Sequence, residues 1–197
     1  MAVSLVSTGV QFPDSTIQTT AAGASGLTLI STTTASGSPS QVNITSGFSS
    51  TYNDYLIIFE NVRLTGVSSS GGLMRIYIGG SVKTSSDYAF QQVVAQSAVG
   101  INRVAGIDSV YSFVDIFDTV GIGSGQLLLT NTNATDNLYT GNYQFFATNP
   151  SASGGNNFSL GSFGNSISGP ITGIRFYWAS GSATFLSGTF KLYGLAK

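Results

Sequence analysis

Short runs of Val, Ile, Leu, Phe, Tyr and Thr recur along the chain between clusters of Gly, Ser, Thr and Asn. Strong helix formers rarely cluster, so the hydrophobic pattern has no sustained 3.6-residue period. In Gly188–Tyr193, Phe190 and Leu192 fall on one face of a strand while Lys191 and Tyr193 take the other. That alternation assigns Phe190 and Leu192 to a core. In Arg175-Phe176-Tyr177-Trp178 both faces carry bulk, which predicts a strand buried on each side, with Trp178 packed in the core beside Phe176. Tyr52 and Tyr55 bracket Asn53-Asp54 and are expected to fix the start of a core strand. Many short strands separated by turn residues predict an all-β protein, an antiparallel β-sandwich of jelly-roll-like kind with an N-terminal β-hairpin or extended arm.

The pattern also divides the chain. In Gly9–Ala22, Val10 and Phe12 alternate with polar residues, Ile17 and Thr19 do the same, and Pro13-Asp14-Ser15 between them is turn chemistry. A two-stranded hairpin is marginal in water, so this one needs a partner surface. A strand at Leu27–Ser31 is followed by Thr32–Gln41, whose Thr, Ser, Gly and Pro content is that of a linker. The expected division is an anchoring or oligomerisation segment over 1–31, a linker over 32–41 and a sandwich over 42–197. Within the sandwich, strands are expected near Gln41–Ile44, Asp54–Val62, Gly72–Ile78, Asp87–Ala95, Ser109–Asp118, Gly125–Thr130, Asn142–Thr148 and Asn157–Gly161. Ile171–Trp178, Ala183–Leu186 and Gly188–Gly194 close it. No long-period repeat points to a solenoid or propeller.

Composition narrows the chemistry. Across 197 residues there is no cysteine and no histidine. The first absence removes disulfides, thiolate nucleophiles and Cys-ligated zinc; the second removes the usual neutral-pH general base and commonest transition-metal ligand. Any metal would sit among carboxylates and carbonyls, which favours calcium or magnesium. A chain of this length buries enough surface to need no covalent staple. Only 8% of residues are charged, and the net charge is −1. The seven basic residues, Arg63, Arg75, Lys83, Arg103, Arg175, Lys191 and Lys197, stand singly rather than in the stripe that tracks phosphates, so nucleic-acid binding is not expected. Such a weakly charged surface is poorly protected against association and suits an assembly. Met1–Val6 lacks the positive charge and apolar run of a signal peptide, and no apolar run reaches membrane-spanning length, so neither signal-dependent export nor membrane insertion is expected.

Candidate catalytic groups are sparse. The acidic residues are Asp14, Asp54, Glu60, Asp87, Asp108, Asp115, Asp118 and Asp136. The tightest group is Asp108, Asp115 and Asp118, but Asp115 and Asp118 are three apart and would face opposite sides of one strand. Strand ends and turn caps are the favoured reading of these carboxylates over a catalytic or calcium site. Serine nucleophiles lack a base, and the Gly-rich pieces Ser69–Gly72 and Ser153–Gly155 lack the lysine and helix of a phosphate loop. The sequons at Asn43, Asn133 and Asn157 are read as chance. No catalytic, cofactor-binding or metal-binding residue is assigned, no cofactor is expected, and the chain is read as a non-enzyme.

Two segments resemble virion proteins of tailed bacteriophages. Gly9–Ala22, GVQFPDSTIQTTAA, is similar to the FPDGT-QTTAA segment of tail-fibre and related fibrous proteins, with Ser15 where that segment has Gly. Tyr52–Val62 and the ending Ser187–Gly194, SGTFKLYG, are similar to the β-sandwich heads of small phage fibre and appendage proteins. The resemblance covers both ends and leaves about Val94–Gly169 unmatched. It implies a virion-surface tail fibre or receptor-binding appendage acting in assembly and host attachment, homo-oligomeric and trimeric. Its partners would be other virion proteins and a host surface glycan or protein. The alternatives are a head decoration or head-fibre protein that clamps capsid subunits, and a carbohydrate-binding lectin domain.

Overall fold

The structure is a computed structural model that describes residues 4–6, 9–14, 17–18, 26–65, 72–84, 88–96, 100–108, 111–114, 121–135, 139–149, 155–165, 167–178 and 183–196. Among these residues there is no helix. The strands in chain order are β1 (Ser4–Val6), β2 (Gly9–Gln11), β3 (Ile17–Gln18), β4 (Leu27–Ala35), β5 (Gln41–Ile44) and β6 (Asp54–Thr65). Next come β7 (Gly72–Ile78), β8 (Ser81–Val82), β9 (Tyr88–Gln96), β10 (Gly100–Asp108) and β11 (Tyr111–Val114). The last are β12 (Ile122–Thr130), β13 (Tyr139–Asn149), β14 (Gly155–Asn165), β15 (Ile171–Trp178) and β16 (Thr184–Leu195).

Two antiparallel sheets form the sandwich. The larger has the order β10-β9-β14-β13-β12-β6-β16-β4, and the smaller runs β11-β7-β15-β5 with β8 paired to β7. The chain crosses between them repeatedly, so each sheet collects strands from distant parts of the sequence. Tyr55, Ile57, Phe59, Phe190 and Leu192 of the large sheet and Met74, Ile76, Ile174 and Phe176 of the small one are buried between the layers. Their aromatic rings interlock: Phe59 meets Phe176 edge-on at 5.2 Å and Phe190 at 5.6 Å, while Phe176 stacks on Phe190 at 5.4 Å. Offset and edge-to-face contacts of this kind add to the area that the rings bury. Trp178 lies at the rim of the cluster, edge-on to Phe185 and 5% exposed, so it packs as core.

A bend runs across three neighbouring strands. The register of β6 slips against both β12 and β16 near Gly123–Gly125 and Ser187–Thr189. Asn61 takes a left-handed φ of 53°, and its N–H donates to Ser124 Oγ at 3.1 Å. Gly188, with φ 150°, lies against Val62, where a Cβ would come within 3.1 Å of the Val62 backbone. The shift moves the inward set of β6 from Tyr55, Ile57 and Phe59 to Val62 and Leu64. Aligned bulges let long strands curve over the core without losing a hydrophobic face. They also explain why Ser187, read in sequence as a break between two strands, lies within one.

The N-terminal residues form a three-stranded sheet of their own, β1-β2-β3. The expected hairpin is present, with Val10 opposite Gln18 and Gln11 opposite Ile17 across the Pro13-Asp14 turn, and β1 adds a third strand. The linker boundary differs from the sequence reading. Thr32–Ala35 are the second half of β4 and pair with Gly188–Lys191 of β16. Thr, being β-branched, suits a pleated strand as well as it suits a polar linker, and Ala35 is buried in the core. The connection to β5 is therefore 36–40. In the unmatched middle, β10 occupies Gly100–Asp108, ahead of the strand expected near Ser109–Asp118, of which Tyr111–Val114 is present as β11.

Candidate functional site

The acidic residues do not converge among the described positions. Asp54 accepts the backbone N–H of Asn131 through Oδ1 at 3.0 Å, capping a turn as expected of a strand-end carboxylate. Beside it, Thr132 is buried and donates its hydroxyl and N–H to the Asn53 carbonyl, while the Asn133 amide donates to the Tyr52 carbonyl. Tyr55 completes this corner: its hydroxyl donates to the Ser49 carbonyl at 2.9 Å and accepts the Ser49 N–H at 2.7 Å. Tyr52 and Tyr55 thus fix the start of β6. Glu60 sits on β6 and accepts Lys191 Nζ of β16 at 2.7 Å. The Glu60 hydrogen bond and charge hold the Lys191 ammonium above the usual lysine range, against a smaller opposing effect of burial. Asp108 lies in β10, whereas Asp87, Asp115, Asp118 and Asp136 fall outside the described residues, as do Ser69–Gly71 and Ser153-Gly154. No group of three His, Cys, Asp or Glu residues that could hold a metal occurs among the described residues.

Two sites stand out by geometry. The first is on the outer face of the small sheet, where Arg75 and Arg175 are direct register partners across β7 and β15. Like charges opposite each other are unfavourable. Each guanidinium is instead laid over a tyrosine ring of the neighbouring strand, Arg75 over Tyr177 at 5.3 Å and Arg175 over Tyr77 at 5.5 Å. Arg175 donates to Asn43 Oδ1 at 3.0 Å and to the Tyr77 hydroxyl at 2.9 Å, and Tyr77 donates to the same Asn43 oxygen at 3.0 Å. This closed network ties β5, β15 and β7 together. It also corrects the expectation that Arg175–Trp178 is buried on both sides: Phe176 and Trp178 face the core, while Arg175 and Tyr177 are half-buried in the ladder.

The second is on the outer face of the large sheet, at its β13, β14, β9 and β10 end. An open hollow of about 670 Å3 lies there, its lining including Gln91, Val93, Ala105, Asn142, Leu160 and Ser162. Beside it Phe146 and Phe158 are register partners, as are Leu160 and Val93. These four side chains are 48%, 39%, 49% and 37% exposed. The inward face of the same strands carries Gln92, Asn157 and Ser159, all buried, with the Tyr143 hydroxyl donating to Gln92 Oε1 at 2.8 Å. Over Asn157–Leu160 of β14 the usual polarity of a sandwich strand is thus reversed, whereas Tyr88 and Val94 of β9 and Phe145 and Ala147 of β13 keep apolar side chains inward. Alternation alone does not announce this, because it separates two faces without saying which one turns inward. Of the three sequon asparagines, Asn43 and Asn133 are hydrogen-bonded within the fold and Asn157 is buried.

No protein-family model and no curated protein matches the chain. Among solved structures, it is similar to the CBM2 module of the evolved Dit of Lactobacillus casei BL23 phage J-1, at 12% identity and a TM-score of 0.22. That likeness covers 80% of this chain and 70% of the other. A second similar structure is the VP2 subviral particle of infectious bursal disease virus, at 16% identity and a TM-score of 0.15, covering 87% of this chain and 42% of that one. No functional residue is carried over from likenesses this distant.

Proposed function

We propose that the chain is a structural protein of a tailed-bacteriophage particle, a tail fibre or receptor-binding appendage on the virion surface that acts in assembly and host attachment without catalysis. The observation that carries this reading is the N-terminal segment. Gly9–Ala22 resembles a segment of phage fibre proteins, and its described part is held in a small sheet separate from the sandwich. Phe12 and Ile17 are 39% and 46% exposed there. A sheet so small, with apolar side chains turned to water, gains stability only by docking on something else. A part built to be attached, followed by a large rigid sandwich, suits an appendage whose N-terminus binds other virion proteins and whose sandwich points outward. Three copies per appendage is the number that the resemblance implies.

The test is adsorption. Purified protein added ahead of phage should block attachment to host cells. Particles lacking the protein should keep intact capsids and lose attachment. Unchanged adsorption together with heat- or chelator-labile capsids would move the protein to a head-decoration role. Release of reducing ends from host surface polysaccharide would overturn the non-enzymatic part of the proposal.

A further inference from the structure

Apolar side chains are spread across the outer face of the large sheet, interleaved with exposed Gln126, Asn142, Gln144, Ser162 and Gln91. From the β4 edge inward the face carries Leu27 and Leu29, which are 54% and 51% exposed, then half-buried Tyr193, Leu56, Ile58 and Leu128. Successive register partners line these residues up: Leu29 faces Tyr193, Tyr193 faces Leu56, and Leu56 faces Leu128. The row continues through Asn142 and Ser162 to Gln91, where it enters the hollow. The adjoining rows bring in Leu160 with Val93 and Phe146 with Phe158. Strands that are apolar on both faces belong to sheets covered on both sides. Here one side is covered by the small sheet, and the described residues place nothing over the other.

We infer that this face packs against a second copy of the same chain, with the Phe146–Phe158 ridge of one copy seated in the Gln91–Leu160 hollow of the next. Charge fits a like partner. The charged side chains that the described residues place on this face are Glu60 and Lys191, paired with each other, Asp54, engaged at the sheet's end with Asn131, and exposed Arg63, so the face carries no net charge and two copies meet with little net repulsion. Shape fits as well, since a ridge and a hollow lie side by side on one surface, which is what contact between identical chains requires. Size also fits. Eight strands spaced about 4.8 Å apart and four rows of side chains cover roughly 800 Å2, close to what one partner contributes to a stable interface. The local exchange in β14, with Asn157 and Ser159 inward and Phe158 and Leu160 outward, agrees, because it places those two large apolar residues where only a partner can cover them. This inference stands on the sheet alone and does not depend on the phage reading.

The test is the mass of the full chain in solution, measured by light scattering after gel filtration at about 100 μM, for wild type, Leu160→Lys and Phe146→Lys. Wild type should be a multiple of the 20.4 kDa chain. Each charged variant should weaken association at least ~30-fold, as expected at the centre of an interface, and shift the mass toward a single chain. Thr51→Lys, in an exposed turn, controls for added charge, and unchanged circular dichroism and melting exclude misfolding. A single-chain mass for wild type overturns the inference. So does an oligomer that survives both charged variants but falls apart when Met1–Ser25 is deleted, which would assign association to the N-terminal sheet.

Discussion

Two glycines on β14 offer a sharp test of how the far end of the large sheet is packed. Gly161 lies opposite Tyr143 and Gly164 opposite Thr140 on β13. At Gly161 the tyrosine ring is laid flat over the α-carbon: an added Cβ would come within 2.3 Å of Tyr143 Cζ and of its hydroxyl oxygen. Ordinary carbon contacts begin near 3.5 Å, so Gly161→Ala forces the ring to retreat by roughly 1.2 Å. Tyr143 has little room to do so. It is 2% exposed, and its hydroxyl is held at 2.8 Å by Gln92, itself buried. Overpacking costs about 1–3 kcal/mol, and parting a buried hydrogen bond adds ~1–3 kcal/mol. Reduced freedom of the unfolded chain returns ~0.4–1 kcal/mol, leaving a net loss of about 1–5 kcal/mol. At Gly164 the nearest atom to an added Cβ is the Tyr139 carbonyl oxygen at 3.4 Å, an ordinary contact. Gly164→Ala should therefore be neutral or slightly stabilising. In urea unfolding at one fixed protein concentration, an m-value near ~2 kcal/mol/M turns the difference into a midpoint drop of about 0.5–2.5 M for Gly161→Ala alone. Equal midpoints for the two variants would refute the packing argument, since they share a strand and differ only in what lies over the α-carbon.

Phe190→Ala removes the ring between Phe59, Phe176 and Phe185 and should cost roughly 3–5 kcal/mol by thermal or urea unfolding; a loss below about 1 kcal/mol would place Phe190 outside the core. Deleting Met1–Ser25 should leave cooperative unfolding of the sandwich intact, whereas deleting Met1–Gln41 strips β4 from β16 and should produce a less stable, aggregating protein, as read by melting and light scattering. Between pH 6 and 9 the melting temperature should stay nearly constant, because the chain has neither histidine nor cysteine to titrate there. The Lys191–Glu60 pair has a lysine pKa raised in the fold, so its contribution is fully present below the unfolded lysine value and disappears as pH rises through the folded one. A melting curve that falls with pH between 7 and 9 would contradict both statements.

Much of the sandwich was legible in the sequence because its central strands are strongly patterned. Gly72–Ile78, Gln41–Ile44 and Ile171–Trp178 have the bounds that their runs of apolar residues suggest. Phe190, Leu192 and Trp178 are buried as their neighbours imply. What was missed has local causes. In β10 the run Gly-Ile-Asn-Arg-Val-Ala-Gly-Ile-Asp is broken by two glycines and carries no clean alternation, so nothing marks it as a strand until β9 pairs with it. Thr32–Ala35 carries polar, β-branched residues that fit a linker and an edge strand equally well. The candidate surface was the least legible of all. Phe158 and Leu160 alternate with Ser159 and Gly161, and the default reading turns the large residues inward; only the registers with β13 and β9 turn them out.

That reversal ties the two proposals to one physical cause. A strand with polar residues inward forgoes burial energy in its own fold unless those residues find partners, and Gln92 does so with Tyr143. The apolar residues that it displaces outward forgo theirs until another surface arrives. The N-terminal sheet repeats the pattern at smaller scale, with Phe12 and Ile17 turned to water. Two separate parts of one chain therefore hold hydrophobic surface in reserve, on a protein with 8% charged residues and almost no net charge to keep copies apart. The two reserves differ in what they can bind. The large face is wide and nearly self-neutral, which suits a like partner. The small sheet is narrow and carries Gln11 and Asp14 beside Phe12, which suits a groove on another protein. If so, charge placed at Leu160 should disperse the copies while leaving attachment to the particle intact, and charge placed at Ile17 should do the reverse.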